Sequence, residues 1–451
     1  DSPPPQLPSE GSMSGALRGL GFLAVLIAVS AQAATDGYGL GTQEQLALDR
    51  RSVGIFNIPG FQTRLDEIES VFRADPLASD PDARRAIQPD AAAIAFNALQ
   101  LIVDDDAQRP AIMWSGDTPH RWHGIDVPFA SYGLNNPDNI YRIVPIDGAS
   151  RYEIEGREGK HAPAQTTYFL YNSLPGSGAG PIDAPIDGLL GKDIKIGAHG
   201  KFTITIDGDP ANGRANHIRS RADAKLLIIR ESLSDWARET PASLSVRRVA
   251  GPKPNPPRSE SRIAEDSLSL AAKMVGYWLK YPNAYIMKTP PDTIGKPNAR
   301  GGKWGYTVNG RFALAPDEAL VVTLDPASAA YVGFQLADPW AIPFEFVHHL
   351  SSLANGQAKP SPDGTYTYVI AARDPGVWNW LDTTGAASGV FGIRWQNLAD
   401  DSRIATAVRG AKVVKLADLK AALPAGMAMV TPEERKIQIA AREASWMLRV
   451  R

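Results

Sequence analysis

The 451-residue chain is 43% hydrophobic and 21% charged, the balance of a globular protein of two or three domains and not of a disordered or fibrous one. Its 47 basic and 49 acidic residues leave a formal charge of −2 with no long run of like charge, which argues against a nucleic-acid partner. Cysteine is absent, so disulfides, thiolate nucleophiles and thiolate metal ligands are excluded and packing has to supply the stability.

Residues 1–12 end in Gly11-Ser12 and read as a tag-like, non-native extension ahead of Met13. Residues 13–33 have the order of a signal peptide: the cation Arg18, an apolar run over 20–29, then Ala31-Gln32-Ala33, after which cleavage is expected. That run is shorter than the roughly 20 helical residues a bilayer core requires. No permanent membrane span is expected after signal removal, and a bacterial periplasm, or secretion, is the expected location.

Residues 34–130 read as mainly helical. Leu65, Ile68, Val71 and Phe72 recur at helical spacing, as do Ile94, Phe96, Leu99, Leu101, Ile102 and Val103. The second helix is expected to start at Pro89-Asp90 and to end before Asp104-Asp105-Asp106, read as a solvated terminus.

From 131 to 250 the pattern becomes β-rich, with short apolar or alternating runs at 141–146, 152–154, 166–170, 202–206, 226–229 and 244–249. Asp147-Gly148 and Asp207-Gly208 are turn makers between them. Residues 251–260 are a proline-rich linker, because proline has no amide hydrogen for a strand ladder. A helix over 261–282 follows, with Ala271, Met274, Val275, Trp278 and Leu279 on one face and Pro282 as its stop. A second β-rich unit over 283–400 has candidate strands at 304–308, 319–324, 331–335, 366–371 and 390–395. Residues 401–451 read as a helical end, with Thr431-Pro432-Glu433-Glu434 as a helix start. The fold class is thus mainly β with accessory α-helices.

Three segments carry a family likeness: 135–142 leading into 145–152, 221–227 with Trp236, and 373–382 followed by Arg394-Trp395. Together they resemble proteins with the uncharacterised DUF1214 domain, sometimes found beside a DUF1254 domain, over roughly 133–398. The resemblance implies jelly-roll-like β-sandwich units and supplies no activity. The family's usual Asn-Arg-Tyr-type ending is replaced here by Trp395-Gln396-Asn397-Leu398.

No Gly-x-Ser-x-Gly elbow, phosphate-binding Gly-rich loop or His-Glu-x-x-His helix occurs. Asn136, Asp138, Asn139, Tyr141 and Arg142 cluster just before a strand. They suit sugar hydroxyls or a hard divalent cation, calcium or magnesium, although calcium-loop spacing is absent; otherwise they form a turn that satisfies its own backbone. Trp378, Asn379, Trp380 and Asp382 offer an aromatic platform beside polar groups, with Arg394 to meet an anion. The structural alternative buries the indoles and pairs Asp382 with Arg394. Of His348 and His349, at most one is expected to face a site, with His348 as the candidate base.

The resulting expectation is an exported envelope enzyme, a hydrolase or lyase using Asp138, Tyr141, Asp382 and His348. Its substrate would be a small polyhydroxylated, glycan-like or aromatic molecule held by Asn136, Asn139, Arg142, Trp378, Asn379, Trp380 and Arg394. The alternative is a noncatalytic periplasmic ligand-binding or assembly protein, and either leaves room for a homo-oligomer. Both place the stretches near 138 and 380 around one cavity.

Overall fold

The computed structural model describes residues 37–177, 185–301 and 304–451; the expected signal peptide and the residues before it lie outside them. The chain opens with helices Gln43–Phe56, Leu65–Ala74 and Pro81–Val103. Thr42 caps the first through the amide of Gln45, and Asp80 caps the third through the amides of Asp82 (2.8 Å) and Ala83 (3.1 Å). The third helix therefore begins at Pro81, nine residues before the expected Asp90. Pro89 sits inside it and removes one backbone donor. Its terminus is not solvated as expected either: Asp104 is buried, and burial raises its pKa well above the carboxylate range. Gln43–Phe56 was not expected, because its apolar positions are sparse.

Next come β1 (Met113–Trp114), a ribbon of β2 (His120–Trp122) and β3 (Ile125–Val127), then β4 (Asn139–Pro145), β5 (Arg151–Arg157) and β6 (Gln165–Tyr171). They are followed by β7 (Asp187–Leu190), β8 (Lys201–Asp207), β9 (His217–Arg219), β10 (Leu226–Ser232) and β11 (Ser243–Ala250). Outside the ribbon, these strands form two sheets, ordered β1-β4-β10-β6-β7 and β11-β5-β8-β9. Val144, Leu170, Leu227 and Ile229 of one sheet meet Tyr152, Ile154, Ile204 and Ile206 of the other, closing a β-sandwich. The first sheet's opposite face packs, through Ile143, Phe169 and Ile228, against the helices, including Glu260–Tyr281 after the proline-rich linker.

The second sandwich is built from β12 (Asn298–Ala299), β13 (Tyr306–Ala313), β14 (Glu318–Leu324), β15 (Ala329–Ala337) and β16 (Ser352–Ala354), with β17 (Tyr366–Ala371), β18 (Trp380–Asp382), β19 (Ser388–Leu398) and β20 (Val408–Lys415). Its sheets run β12-β13-β19-β15-β16 and β18-β17-β14-β20. Phe334, Phe391, Ile393 and Trp395 face Leu320, Val322, Tyr368 and Ile370 across its core. Every strand expected from alternation overlaps one of these, so the protein is mainly β and built of sandwiches.

The region after 401 is a correction: β20 is an edge strand of the second sandwich, and the helix expected from Thr431 follows it as Pro432–Trp446 with a complete capping box. Val408, Val413 and Val414 give β20 its strand character, while Arg409, Lys412 and Lys415 protect the open edge.

Where the long apolar helix meets the second sandwich, the Asp90 and Asp338 carboxyls face each other, both buried. Burial, then Asp338, raises Asp90 well above the ordinary range; burial pushes Asp338 up to about 6. Raised acid pKa values in the fold mean that stability is fully present below the unfolded pKa and lost as pH rises through the folded one. The melting temperature should therefore fall as pH rises from about 4 through about 6 and above, and Asp90→Asn should flatten that decline. Parallel wild-type and variant profiles would refute the assignment.

Candidate functional site

A surface cleft lies between the two sandwiches. On β4, Asn139 and Tyr141 point the same way, and the antiparallel register sets Arg230 of β10 directly opposite Tyr141. Across the gap, β13 and β19 pair Thr307 with Arg394 and Asn309 with Gly392, while Trp395 points back into the second core. Tyr277 and Trp278 at the end of helix Glu260–Tyr281 close one side, and Arg300 and Trp304 another. The cleft holds about 880 Å³ of space, its mouth included.

Its shape depends on close backbone approach at Gly133, which has φ +42°. A Cβ there would lie 2.3 Å from the Trp278 ring, so only glycine lets the 133–135 segment pack against the indole. That segment is also tied to the second sandwich: Arg394 Nη2 donates to the Leu134 carbonyl (2.7 Å) and Gln335 Nε2 to the Asn135 carbonyl (3.0 Å).

The electrostatics are one-sided. Arg230 is buried, donates to the Tyr171 hydroxyl at 3.2 Å and lies 5.0 Å from the Trp304 ring centre. Arg300 lies at the same distance from that ring, so two guanidinium groups flank one indole. Among the described residues, Arg394 bonds to the neutral Gln335 side chain and the Leu134 carbonyl. Neither Arg230 nor Arg394 has a carboxylate partner among the described residues, and among those residues no Asp or Glu lines the cleft. Tyr132, Tyr141, Tyr277 and Tyr306 add phenol groups to its walls. Tyr141's oxygen accepts the Asn136 amide hydrogen at 3.0 Å.

Of the residues expected at a site, Asn139, Tyr141 and Arg394 meet here. The others do not. Asp138 is fully enclosed, accepting from Trp236 Nε1 (3.0 Å) and the Tyr331 hydroxyl (2.7 Å). Asn136 is buried beside it and donates to the Tyr331 hydroxyl and to Asn139 Oδ1. Arg142 points to the opposite face of its sheet and forms a buried ion pair with Glu231.

The 374–382 stretch lies elsewhere, so the expectation that it shares a cavity with residue 138 is wrong. Trp378 donates to the Gln357 carbonyl and is covered by Lys359 Nζ at 3.6 Å, while Trp380 donates to the Ala371 carbonyl beneath Arg435. The indoles are wedges under cations and offer no platform. Asn379 spends its amide on the carbonyls of Lys359 and Thr367 and the amide of Lys359. Asp382 pairs with His349 Nδ1 at 2.7 Å and not with Arg394. His348 is exposed and its ring lies between the Glu345 and Glu443 carboxylates, 3.2 and 3.8 Å away, outside the cleft, while His349 is the histidine that meets Asp382. No group of three or more acidic or imidazole side chains able to hold a metal ion forms among the described residues.

Sequence reasoning missed Arg230, Arg300 and Trp304. A signal for Arg230 existed: Arg230-Glu231 directly continues the apolar run 226–229, and a charged pair inside a central strand has to put one charge on each face.

No family model matches the chain, and no curated protein does. Among solved structures it is similar to an uncharacterised protein from Burkholderia cenocepacia, with a TM-score of 0.64 at 22% identity over 79% of this chain and 96% of that one. The likeness shows a shared fold. A protein from Vibrio parahaemolyticus gives a TM-score of 0.38 at 10% identity, over 62% of this chain and 90% of that one.

Proposed function

We propose that this chain is an exported small-molecule-binding protein whose ligand is a ring-bearing organic anion, an aromatic or cyclic carboxylate, held in the cleft between the sandwiches. The observation that carries the reading is Arg230, a buried guanidinium without a carboxylate partner among the described residues. Burying an uncompensated cation costs several kcal/mol, a cost that an incoming anion offsets. The lining rings of Tyr132, Tyr277 and Tyr306 give the ligand's ring its apolar contact, Arg230 and Arg394 take the carboxylate, and Asn139 and Tyr141 meet its remaining polar edge. The export part rests on the order of residues 13–33.

The noncatalytic form of the proposal is favoured because glycoside hydrolysis requires two carboxylates and the lining offers none among the described residues. Elimination from a bound acid is the second reading. It is supported by Tyr141, whose oxygen is held by an amide hydrogen beside Arg230.

Titration calorimetry with naphthoate and glucuronate checks the binding. Arg230→Met should weaken naphthoate binding by roughly 10- to 100-fold, the loss of one charge-assisted contact. The same change should leave the melting temperature unchanged or raise it, because an unpaired buried charge is removed. Equal affinity of both proteins for naphthoate would overturn the proposal. Appearance of an unsaturated product would select the eliminating reading.

A further inference from the structure

The two sandwiches repeat one another. Across the sheets, strands β1-β4-β10-β6-β7 of the first match β12-β13-β19-β15-β16 of the second place for place, and β9-β8-β5-β11 match β18-β17-β14-β20. The order along the chain is kept as well, with the ribbon of β2 and β3 inserted in the first unit. A parallel pair recurs at the same place: β8 runs beside β9 in one unit and β17 beside β18 in the other, while β5 and β14 pair with β8 and β17 antiparallel.

This repeat decides what faces the cleft. Each unit lines it with the same sheet, and in each the corresponding central strand, β10 or β19, supplies an arginine. Arg230 lies between Tyr141 of β4 and Thr167 of β6; Arg394 lies between Thr307 of β13 and Gly333 of β15, the corresponding neighbours. Alternation aims both side chains away from their own sandwich, because Ile229 belongs to the first core and Ile393 and Trp395 to the second. A surface that meets its own repeat presents its charge twice, so two like charges face one gap.

Their bonds do not offset that charge. Arg230 donates to the Tyr171 hydroxyl, and Arg394 to the Gln335 side chain and the Leu134 carbonyl, all neutral acceptors. Two guanidinium charges thus share a cleft whose lining has no Asp or Glu among the described residues. One carboxylate compensates one of them and, by displacing water, leaves the other less solvated. A second carboxylate offsets both.

We propose that the ligand of the cleft is a dianion: a rigid ring with acid groups at opposite ends, one for Arg230 on the first sandwich and one for Arg394 on the facing wall. This names the substrate class of the anion-binding cleft and rests on that reading.

Titration calorimetry on the purified protein compares three probes: a naphthalene dicarboxylate with its acids at opposite ends, the same compound with one acid replaced by a carboxamide, and naphthoate. The dicarboxylate should bind roughly 10- to 100-fold more tightly than the carboxamide, the value of one charge-assisted contact. Because the two have the same shape, the difference reports the second charge. In Arg394→Gln they should bind equally, a ratio taken within one protein and so insensitive to altered stability. The wild-type preference tests the dianion even where the variant does not fold. Equal wild-type affinity for dicarboxylate and carboxamide would overturn the dianion while leaving the single-anion reading in place. A preference that survives Arg394→Gln would overturn the part given to the second sandwich. Failure of both naphthoate and the dicarboxylate to bind would instead sink the anion reading itself.

Discussion

Asp138→Ala is expected to destabilise the protein by about 3–5 kcal/mol, lowering the midpoint of thermal unfolding by roughly 6–10 °C. Asp138 links parts of the chain that are far apart in sequence. It receives the Trp236 indole hydrogen and the Tyr331 hydroxyl, and Tyr331 in turn accepts from Asn136. Tyr331 belongs to β15 of the second sandwich, so the carboxyl joins the two units. Its ring crosses Gly333, where a Cβ would lie 1.9 Å from the hydroxyl, so this reach depends on glycine. Removing the carboxyl leaves two buried donors without an acceptor and opens a small cavity, and these penalties add. Asp138→Asn keeps the volume and one acceptor, and should cost about 1–2 kcal/mol. Thermal denaturation followed by circular dichroism, with naphthoate titration in parallel, checks the assignment. Lost binding at an unchanged midpoint would return Asp138 to a functional role.

Arg449→Met should cost a similar amount, about 3–5 kcal/mol, for a different reason. Arg449 is wholly buried near the C-terminus. Its guanidinium bonds Asp117 Oδ2 (2.5 Å) and the Pro137 carbonyl (2.7 Å) and lies 4.9 Å from the Trp236 ring. Methionine fills much of the volume but leaves the Asp117 carboxylate buried with only the Thr118 amide and Trp446 indole as donors. The pair variant Asp117→Asn with Arg449→Met removes both charges and should recover part of the loss. Because Arg449 and Asp138 both contact Trp236, Asp138→Ala and Arg449→Met should be less than additive. Strict additivity would show that the C-terminal helix docks independently of the junction between the sandwiches.

The strands were legible because their signal is local. Alternation at 202–206 or 366–371 reports that one face is buried, whatever covers it, and Asp147-Gly148 turns a chain on its own backbone chemistry. The helix after Thr431 was legible for the same reason, since a capping box closes within four residues. The site was read less well. Asn139, Tyr141 and Arg394 were chosen as polar residues beside strands, and the fold does assemble them. Trp378, Asn379, Trp380 and Asp382 looked equally suitable, but backbone carbonyls and covering cations had already claimed the first three and His349 had claimed Asp382.

What the sequence alone determined is therefore the kind of structure: a cysteine-free, mainly β chain in two strand-rich units with a helical start, since period, turn residues and caps act within a few residues. What the tertiary structure decided is which polar groups remain available. Arg230 faces Tyr141 only because β4 and β10 pair in one register, and Asp138 is sealed only because Tyr331 arrives from the second sandwich. A side chain's chemistry depends on whether its hydrogen-bonding capacity is already satisfied, and the groups that satisfy it here come from strands nearly two hundred residues away.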